Sequence, residues 1–331
     1  MDVTLSRRRL FMLNKRTVGI VGTGHVGAHV AFCLGLMGVA EEVLLCDKEE
    51  KKVIGECNDL NDAVPFMPGR TTYRVVDYAG LKDCDILVNA VGNIELCKNF
   101  DRDSELISST KMVENIIPII MDAGFHGIVV NITNPCDAIT HLVAKLSGLP
   151  KGHVLGTGTL LDSARLHHNL TDKTDVDSRS ITGYMMGEHG NSQFVPWTQV
   201  QVFGQSLGSW EVSQDIHIDR EKAQEEVKKG GWVTLAGKAC TEYGIACGAA
   251  TLIRSVLRDE KRILPCSAEL DGEYGEHDIF VGTPALIGKN GVEKVIEVRL
   301  PPNEMLDFKS SIGAIRTNIA KIKAIVEDKT K

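Results

Sequence analysis

Thr17–Asp47 reads TVGIVGTGHVGAHVAFCLGLMGVAEEVLLCD. A short apolar run, Val18–Val21, is closed by a glycine. Gly22-x-Gly24-x-x-Gly27 then opens a helical pattern, Val26–Met37, and a second apolar run, Val43–Cys46, ends on Asp47. The order is strand, glycine turn, helix, strand, acid, and each part has a physical task. Gly22 permits a tight turn, Gly24 lets backbone approach a pyrophosphate, and Gly27 lets helix and strand pack closely. The first amides of such a helix point at the anion, and the helix dipole favours negative charge there. Asp47 stands about 20 residues beyond the last glycine, where an acid binds an adenosine ribose diol. Its charge would repel a 2′-phosphate, so the stretch points to NAD over NADP, with Lys48, Lys51 and Lys52 as the counterweight.

The composition of the whole chain is that of an ordinary soluble globule. At 331 residues it is long enough for about two domains. The net charge of −7 argues against nucleic acid and acidic membrane surfaces as partners. No apolar run approaches the ~18–20 residues of a membrane span. Arg7-Arg8-Arg9 is followed by only Leu10–Leu13 as an apolar segment, too short for a secretory signal, so 1–16 reads as a solvated arm or as sequence upstream of a start at Met12. Nine cysteines without a CxxC pair describe a reduced, cytoplasmic protein with no zinc motif and no metal ligand set.

Alternating strand and helix patterns fill the first half, about six strands in all, which predicts a parallel sheet with helices on both faces. Buried strands are expected at Asp85–Ala90 and Gly127–Thr133, and a short one at Val154–Gly156. The second half reads as mixed α+β, with β-like runs at Ser180–Met186 and Phe194–Phe203 and one long helix over Val233–Leu257. The fold class is therefore α/β, a Rossmann-type parallel-sheet domain (17–155) followed by a mixed α+β catalytic domain (156–331). Ligands of open parallel sheets bind beyond the carboxyl ends of the strands, which places functional residues just after Ala90, Thr133 and Gly156.

Four polar clusters stand out. His189, in Gly187-Glu188-His189-Gly190, follows a β-like run; alone, it reads equally well as structural. Asp162 and Arg165 share one helix face at i, i+3; the bland reading is a surface ion pair. An acid beside a histidine fixes its tautomer and stabilises the imidazolium, and an arginine offers a carboxylate a two-pronged fork. Gly92–Arg102, after the Asp85–Ala90 strand, could close over a site and deliver charge, or be a solvated loop. Asn134, before Pro135, could bond a substrate oxygen or cap the next helix.

GTGHVG, NITNP, GTGTLLDSAR and GEHGNSQF occur in the order and spacing of the L-lactate/malate dehydrogenase family, which the chain resembles over essentially its whole length. Within that family it looks most like the bacterial L-2-hydroxyisocaproate dehydrogenases, through Gly92-Asn93-Ile94, Gly124-Phe125-His126-Gly127 and Gly187–Val195. The resemblance implies catalytic roles for His189 (acid/base), Asp162 (its partner) and Arg102 (polarising the carbonyl). It implies substrate contacts from Arg165, Asn134 and Thr241, and NAD contacts from Gly22, Gly24, Gly27, Asp47 and Gly92. It further implies an NAD-dependent L-2-hydroxyacid dehydrogenase that is a homodimer or homotetramer. A non-catalytic NAD-binding protein is the competing class; keeping Arg102, Asp162, Arg165 and His189 together argues against it.

The substrate expectation comes from departures. Between Gly92 and Phe100 there is neither the glutamine usual in lactate dehydrogenases nor the arginine of malate dehydrogenases. Glu95 would repel a second carboxylate, Lys98 would attract one, and Leu96, Cys97 and Phe100 add apolar surface. Gly230-Gly231 would open the pocket by removing side chains. These point to a branched or bulky apolar 2-oxo acid, 2-ketoisocaproate-like, with L-lactate dehydrogenase as the alternative and malate dehydrogenase after it. Cys97 reads as passive filler ahead of a redox switch.

Overall fold

A computed structural model describes residues 15–93, 96 and 102–328, the side chains of residues 102, 103 and 328 excepted. Six strands form the parallel part of the main sheet: β1 (Thr17–Val21), β2 (Glu42–Cys46), β3 (Thr72–Val75), β4 (Ile86–Asn89), β5 (Ile128–Asn131) and β6 (Val154–Gly156). Their spatial order is β3-β2-β1-β4-β5-β6, every neighbour parallel. That is the doubly wound order with its reversal between β1 and β4. β1, β4 and β5 are largely apolar and fully buried, as strands covered on both faces must be, with Thr17, Asn89 and Asn131 as polar residues at their ends.

The crossover helices are α1 (His25–Leu36), α2 (Glu50–Ala63), α3 (Arg102–Asp122) and α4 (Cys136–Ser147). α3 runs through Pro118; the ring removes one N–H without ending the helix. Gly22, at φ 91°, makes the turn into α1, and a Cβ there would lie 2.7 Å from the Ala90 carbonyl oxygen. A Cβ on Gly27 would lie 1.9 Å from the Gly22 carbonyl oxygen, so only glycine lets α1 approach β1 this closely.

The second half contributes α5 (Leu160–Thr174), the small sheet β7 (Ile181–Thr182), β8 (Gln201–Val202) and β9 (Gln205–Ser206), α6 (Leu207–Gln214), α7 (Arg220–Lys238) and α8 (Tyr243–Leu257). It ends with β10 (Arg262–Asp271), β11 (His277–Gly288), β12 (Gly291–Val295) and α9 (Pro302–Asp328). β10 joins β6 antiparallel through Ser267 and Gly156, so one nine-stranded sheet crosses the position-155 boundary.

Two expectations are corrected, and one helix is added. The runs over 180–186 and 194–203 are not long strands: pairing is confined to β7–β9 and a bridge between Met186 and Phe194, and a 3₁₀ turn at Trp197–Gln199 follows Pro196. The helix expected over 233–257 is two helices, broken at Ala239, whose φ of 68° ends α7. Helix α6 was not foreseen, although Ser206 caps it by accepting the Ser209 N–H.

Candidate functional site

The strand ends open on one cavity of about 510 Å³. Its walls include Gly22, Gly24, Asp47, Gly92, Asn134, Asp162, Arg165, His189 and Thr241, from both halves of the chain. Residues beyond β4, β5 and β6 all reach it, as the sheet topology required.

At the cofactor-side wall, the Asp47 carboxylate follows the last residue of β2. It accepts the Thr23 N–H at 2.6 Å and the Thr23 hydroxyl at 3.1 Å, and so steadies the glycine turn. Lys52 Nζ donates to the Thr23 carbonyl from the same side. Among the described residues, no heavy atom outside its chain neighbours lies within 4 Å of a Cβ placed on Gly24, so the backbone there is open to a ligand. An open glycine turn at a helix start, with an acid at the next strand end, fits a dinucleotide pyrophosphate and ribose.

At the opposite wall, Asp162 sits in the first turn of α5 and is fully buried. Its two oxygens serve different partners. Oδ2 accepts His189 Nδ1–H at 2.5 Å, and Oδ1 accepts Arg165 Nη1–H at 2.8 Å. The i, i+3 spacing anticipated on the helix thus becomes a three-residue line, Arg165–Asp162–His189. With Nδ1 turned to Asp162, Nε2 is the ring nitrogen left for the cavity. Burial alone would raise the Asp162 pKa, but the imidazole and guanidinium beside it hold the carboxyl below its usual range. Burial alone would lower His189, but Asp162, helped by Asp137, lifts it above an ordinary histidine.

The turn bearing His189 is held from three sides. Gly187, at φ 94°, exchanges hydrogen bonds with Gly282 of β11 at 2.9 Å each way. The Glu188 N–H donates to Ser311 Oγ of α9 at 2.6 Å, and the His189 N–H donates to Asp137 Oδ2 at 2.8 Å. Asp137, in the first turn of α4, is buried and also accepts the Ser267 hydroxyl at 2.5 Å. Burial pushes it up to about 6. The sequence reading missed Asp137, although an acid directly after Asn134-Pro135-Cys136 at a strand end was a usable signal.

Trp232 and Leu235 on α7 also line the cavity and were not foreseen. Gly230 and Gly231 face Arg165: a Cβ on Gly230 would lie 3.3 Å from its Cδ, and one on Gly231 3.3 Å from Nη1 and Nη2. Their missing side chains make room for the arginine, and Gly231 lines the cavity beside it. Thr241 lies in the break between α7 and α8, next to Cys240 and Glu242. The donor atoms of His25, Cys240 and Glu242 lie within 4.8 Å of one another, a grouping the sequence did not reveal. Lys238 already pairs with that carboxylate, so the group reads as an ion-pair network. The Arg102 side chain lies outside the described residues, as do Glu95, Cys97, Lys98 and Phe100; the backbone of Arg102 begins α3. No helix among the described residues is long and apolar enough to cross a membrane.

Comparison with known proteins gives matches along nearly the whole chain. Residues 16–156 match the family model for the lactate/malate dehydrogenase NAD binding domain, and residues 159–326 that for its alpha/beta C-terminal domain. The chain is 39% identical over 311 residues to an L-lactate dehydrogenase of Fusobacterium nucleatum, covering 93% of this chain and 97% of that one. It is 37% identical over 311 residues to L-lactate dehydrogenase 2 of Listeria monocytogenes, covering 94% and 100%. Among solved structures, the minor L-lactate dehydrogenase of Enterococcus mundtii superposes with a TM-score of 0.85 at 32% identity, covering 92% of this chain and 98% of that one. A lactate dehydrogenase from a Medee basin deep-sea metagenome library gives 0.90 at 30% identity, covering 94% and 100%.

Proposed function

The chain belongs to the L-lactate/malate dehydrogenase family, and from that membership we propose that its substrate pair is L-lactate and pyruvate. It is an NAD-dependent oxidoreductase acting on the CH–OH group of 2-hydroxy acids. The line Arg165–Asp162–His189, opening on the cavity that the Gly22–Gly24 turn also lines, is the observation that carries the chemistry.

When bound, the nicotinamide supplies or accepts the hydride. The chain's own residues do the rest. Arg165 spends one donor on Asp162 and presents its remaining N–H groups to the substrate carboxylate. Protonated His189 hydrogen-bonds the keto oxygen through Nε2 and gives it the proton as the alcohol forms; in the reverse direction the neutral ring takes it back. Asp162 holds the ring's tautomer and stabilises its charge. Arg102 polarises the same oxygen, Asn134 and Thr241 contact the substrate, and Gly22, Gly24, Gly27, Asp47 and Gly92 seat the cofactor.

Two observations favour pyruvate over a branched 2-oxo acid. The curated relatives cited above, which align along their whole length, carry the name L-lactate dehydrogenase. A Cβ on Gly230 or Gly231 would lie 3.3 Å from Arg165, so the room that their missing side chains leave is used by the arginine that holds the substrate carboxylate. The enzyme is read as cytoplasmic and as a homodimer or homotetramer, with neither nucleic acid nor membrane as partner. Ranking pyruvate, oxaloacetate, 2-ketoisocaproate and phenylpyruvate by kcat/KM tests the substrate. Pyruvate is expected first; 2-ketoisocaproate or oxaloacetate in first place would overturn the proposal.

A further inference from the structure

Cys33 of α1 and Cys247 of α8 lie 214 residues apart in sequence, and their Sγ atoms are 3.8 Å apart. Cys33 is 7% exposed, whereas Cys247 is exposed to solvent. All eight described cysteines are free, and this is the one pair of thiols in hydrogen-bonding contact among the described residues. A disulfide needs about 2.05 Å, so the sulfurs must close by less than ~2 Å, within reach of side-chain rotation and a small helix shift.

We propose that Cys33 and Cys247 are a reversible thiol–disulfide pair, an oxidative modification site that ties the helix under the glycine turn to the helix following Thr241. The two helices belong to opposite halves of the chain and pack on each other behind the cavity. Closing the bond fixes the cofactor-side wall relative to the substrate-side wall.

The two thiols have different roles. Cys247 is the entry point, because an oxidant can reach it. Burial, then the neighbouring Cys247 sulfur, pushes Cys33 up to about 12, so Cys33 stays protonated while Cys247 reacts. With hydrogen peroxide as oxidant, the Cys247 thiolate attacks one peroxide oxygen. The O–O bond breaks, and Cys247 becomes a sulfenic acid as hydroxide leaves and takes up a proton to become water. The Cys33 sulfur then attacks the Cys247 sulfur, the S–OH bond breaks, and hydroxide departs with the Cys33 proton as a second water. Two thiols have lost two electrons and two protons, and one peroxide has become two waters. A dithiol reductant reverses the bond by exchange.

The test treats the full-length protein with a few equivalents of hydrogen peroxide and digests it without reductant. A peptide pair joining positions 33 and 247 is expected, about 2 Da lighter than the two free peptides and released by dithiothreitol. Closing so long a loop is expected to raise the melting temperature by roughly 5 °C, reversibly. Cys247→Ser, a change at an exposed position, is expected to abolish both the linked peptide and the rise. Cys33→Ala is expected to leave Cys247 as sulfinic acid with no rise. Sulfinic acid at Cys247 in the wild-type protein with Cys33 still a free thiol would overturn the proposal. So would the same temperature rise in Cys247→Ser.

Discussion

Two buried carboxylates stand on either side of His189, and they differ in what they do to it. Asp162 meets the ring and Asp137 meets the backbone N–H. Asp162→Asn removes the charge that holds the imidazolium. Pyruvate reduction is expected to fall by roughly two orders of magnitude. Its alkaline limb should move toward lower pH, because the raised His189 pKa relaxes downward; a kcat/KM profile against pH checks both. Asp137→Asn keeps an acceptor for the His189 N–H and a partner for Ser267, so turnover near the optimum should change little. Because Asp137 is raised from 3.8 to about 6, the folded protein holds a proton that the unfolded chain releases. Its stabilising contribution is present below pH ~4 and is lost as pH rises through ~6. Asp137→Asn should therefore unfold at higher urea than wild type at pH 7.5, and the gain should shrink as the pH is lowered toward 4. Gly231→Ala places a methyl 3.3 Å from both terminal nitrogens of Arg165. The guanidinium must give way, so KM for pyruvate should rise about tenfold or more with a smaller change in kcat.

Helix breaks show where the sequence was legible and where it was not. The Gly22–Gly27 turn was readable because its glycines are required by geometry: left-handed backbone at one, contact below van der Waals distance at another. The elements through β6 followed from apolar runs buried on both faces, and His189, Asp162 and Arg165 converge because those strand ends do. The break between α7 and α8 carried no such mark. The glycines nearby, Gly237, Gly244 and Gly248, all lie within helices, while the left-handed position is occupied by Ala239. Asp137 and Trp232 were hidden for another reason. Their significance depends on contacts between distant segments, which no local pattern encodes. An alanine at φ 68° costs about 1 kcal/mol relative to glycine. Ala239→Gly should therefore raise the urea midpoint, by an amount equivalent to ~0.5–1 kcal/mol, with Thr241 left in place and KM unchanged. A lower midpoint would mean that the break is set by packing around Cys240 and Glu242 instead of by the backbone of residue 239.

Across the whole molecule, the two halves share a sheet, and the joint between them lies under the site. Gly156 of β6 pairs with Ser267 of β10, and Ser267 in turn donates to Asp137, which holds the His189 turn. Cofactor-side and substrate-side segments are thus joined through backbone pairing and one buried hydroxyl–carboxylate contact. A chain built this way cannot lose its second half without exposing the β6 edge and the faces of α3 and α4 on which α9 packs. Calorimetry of the unliganded protein should therefore show one cooperative unfolding transition; two separated transitions would mean that the joint is too weak to couple the halves. Gly156→Val probes the joint directly. A Cβ there would lie 2.4 Å from Thr140 Oγ1 and 2.9 Å from both Cys136 Sγ and the Ser267 Cβ. None of these atoms can retreat easily from so densely packed a region, so the cost should reach about 3 kcal/mol or more. Because the same strain moves Ser267 against Asp137, the His189 turn should shift with it. Whatever folded protein survives should then lose pyruvate turnover while still binding NADH at the distant Gly22–Gly27 turn. Equal loss of turnover and of NADH binding would indicate global damage in place of a broken joint.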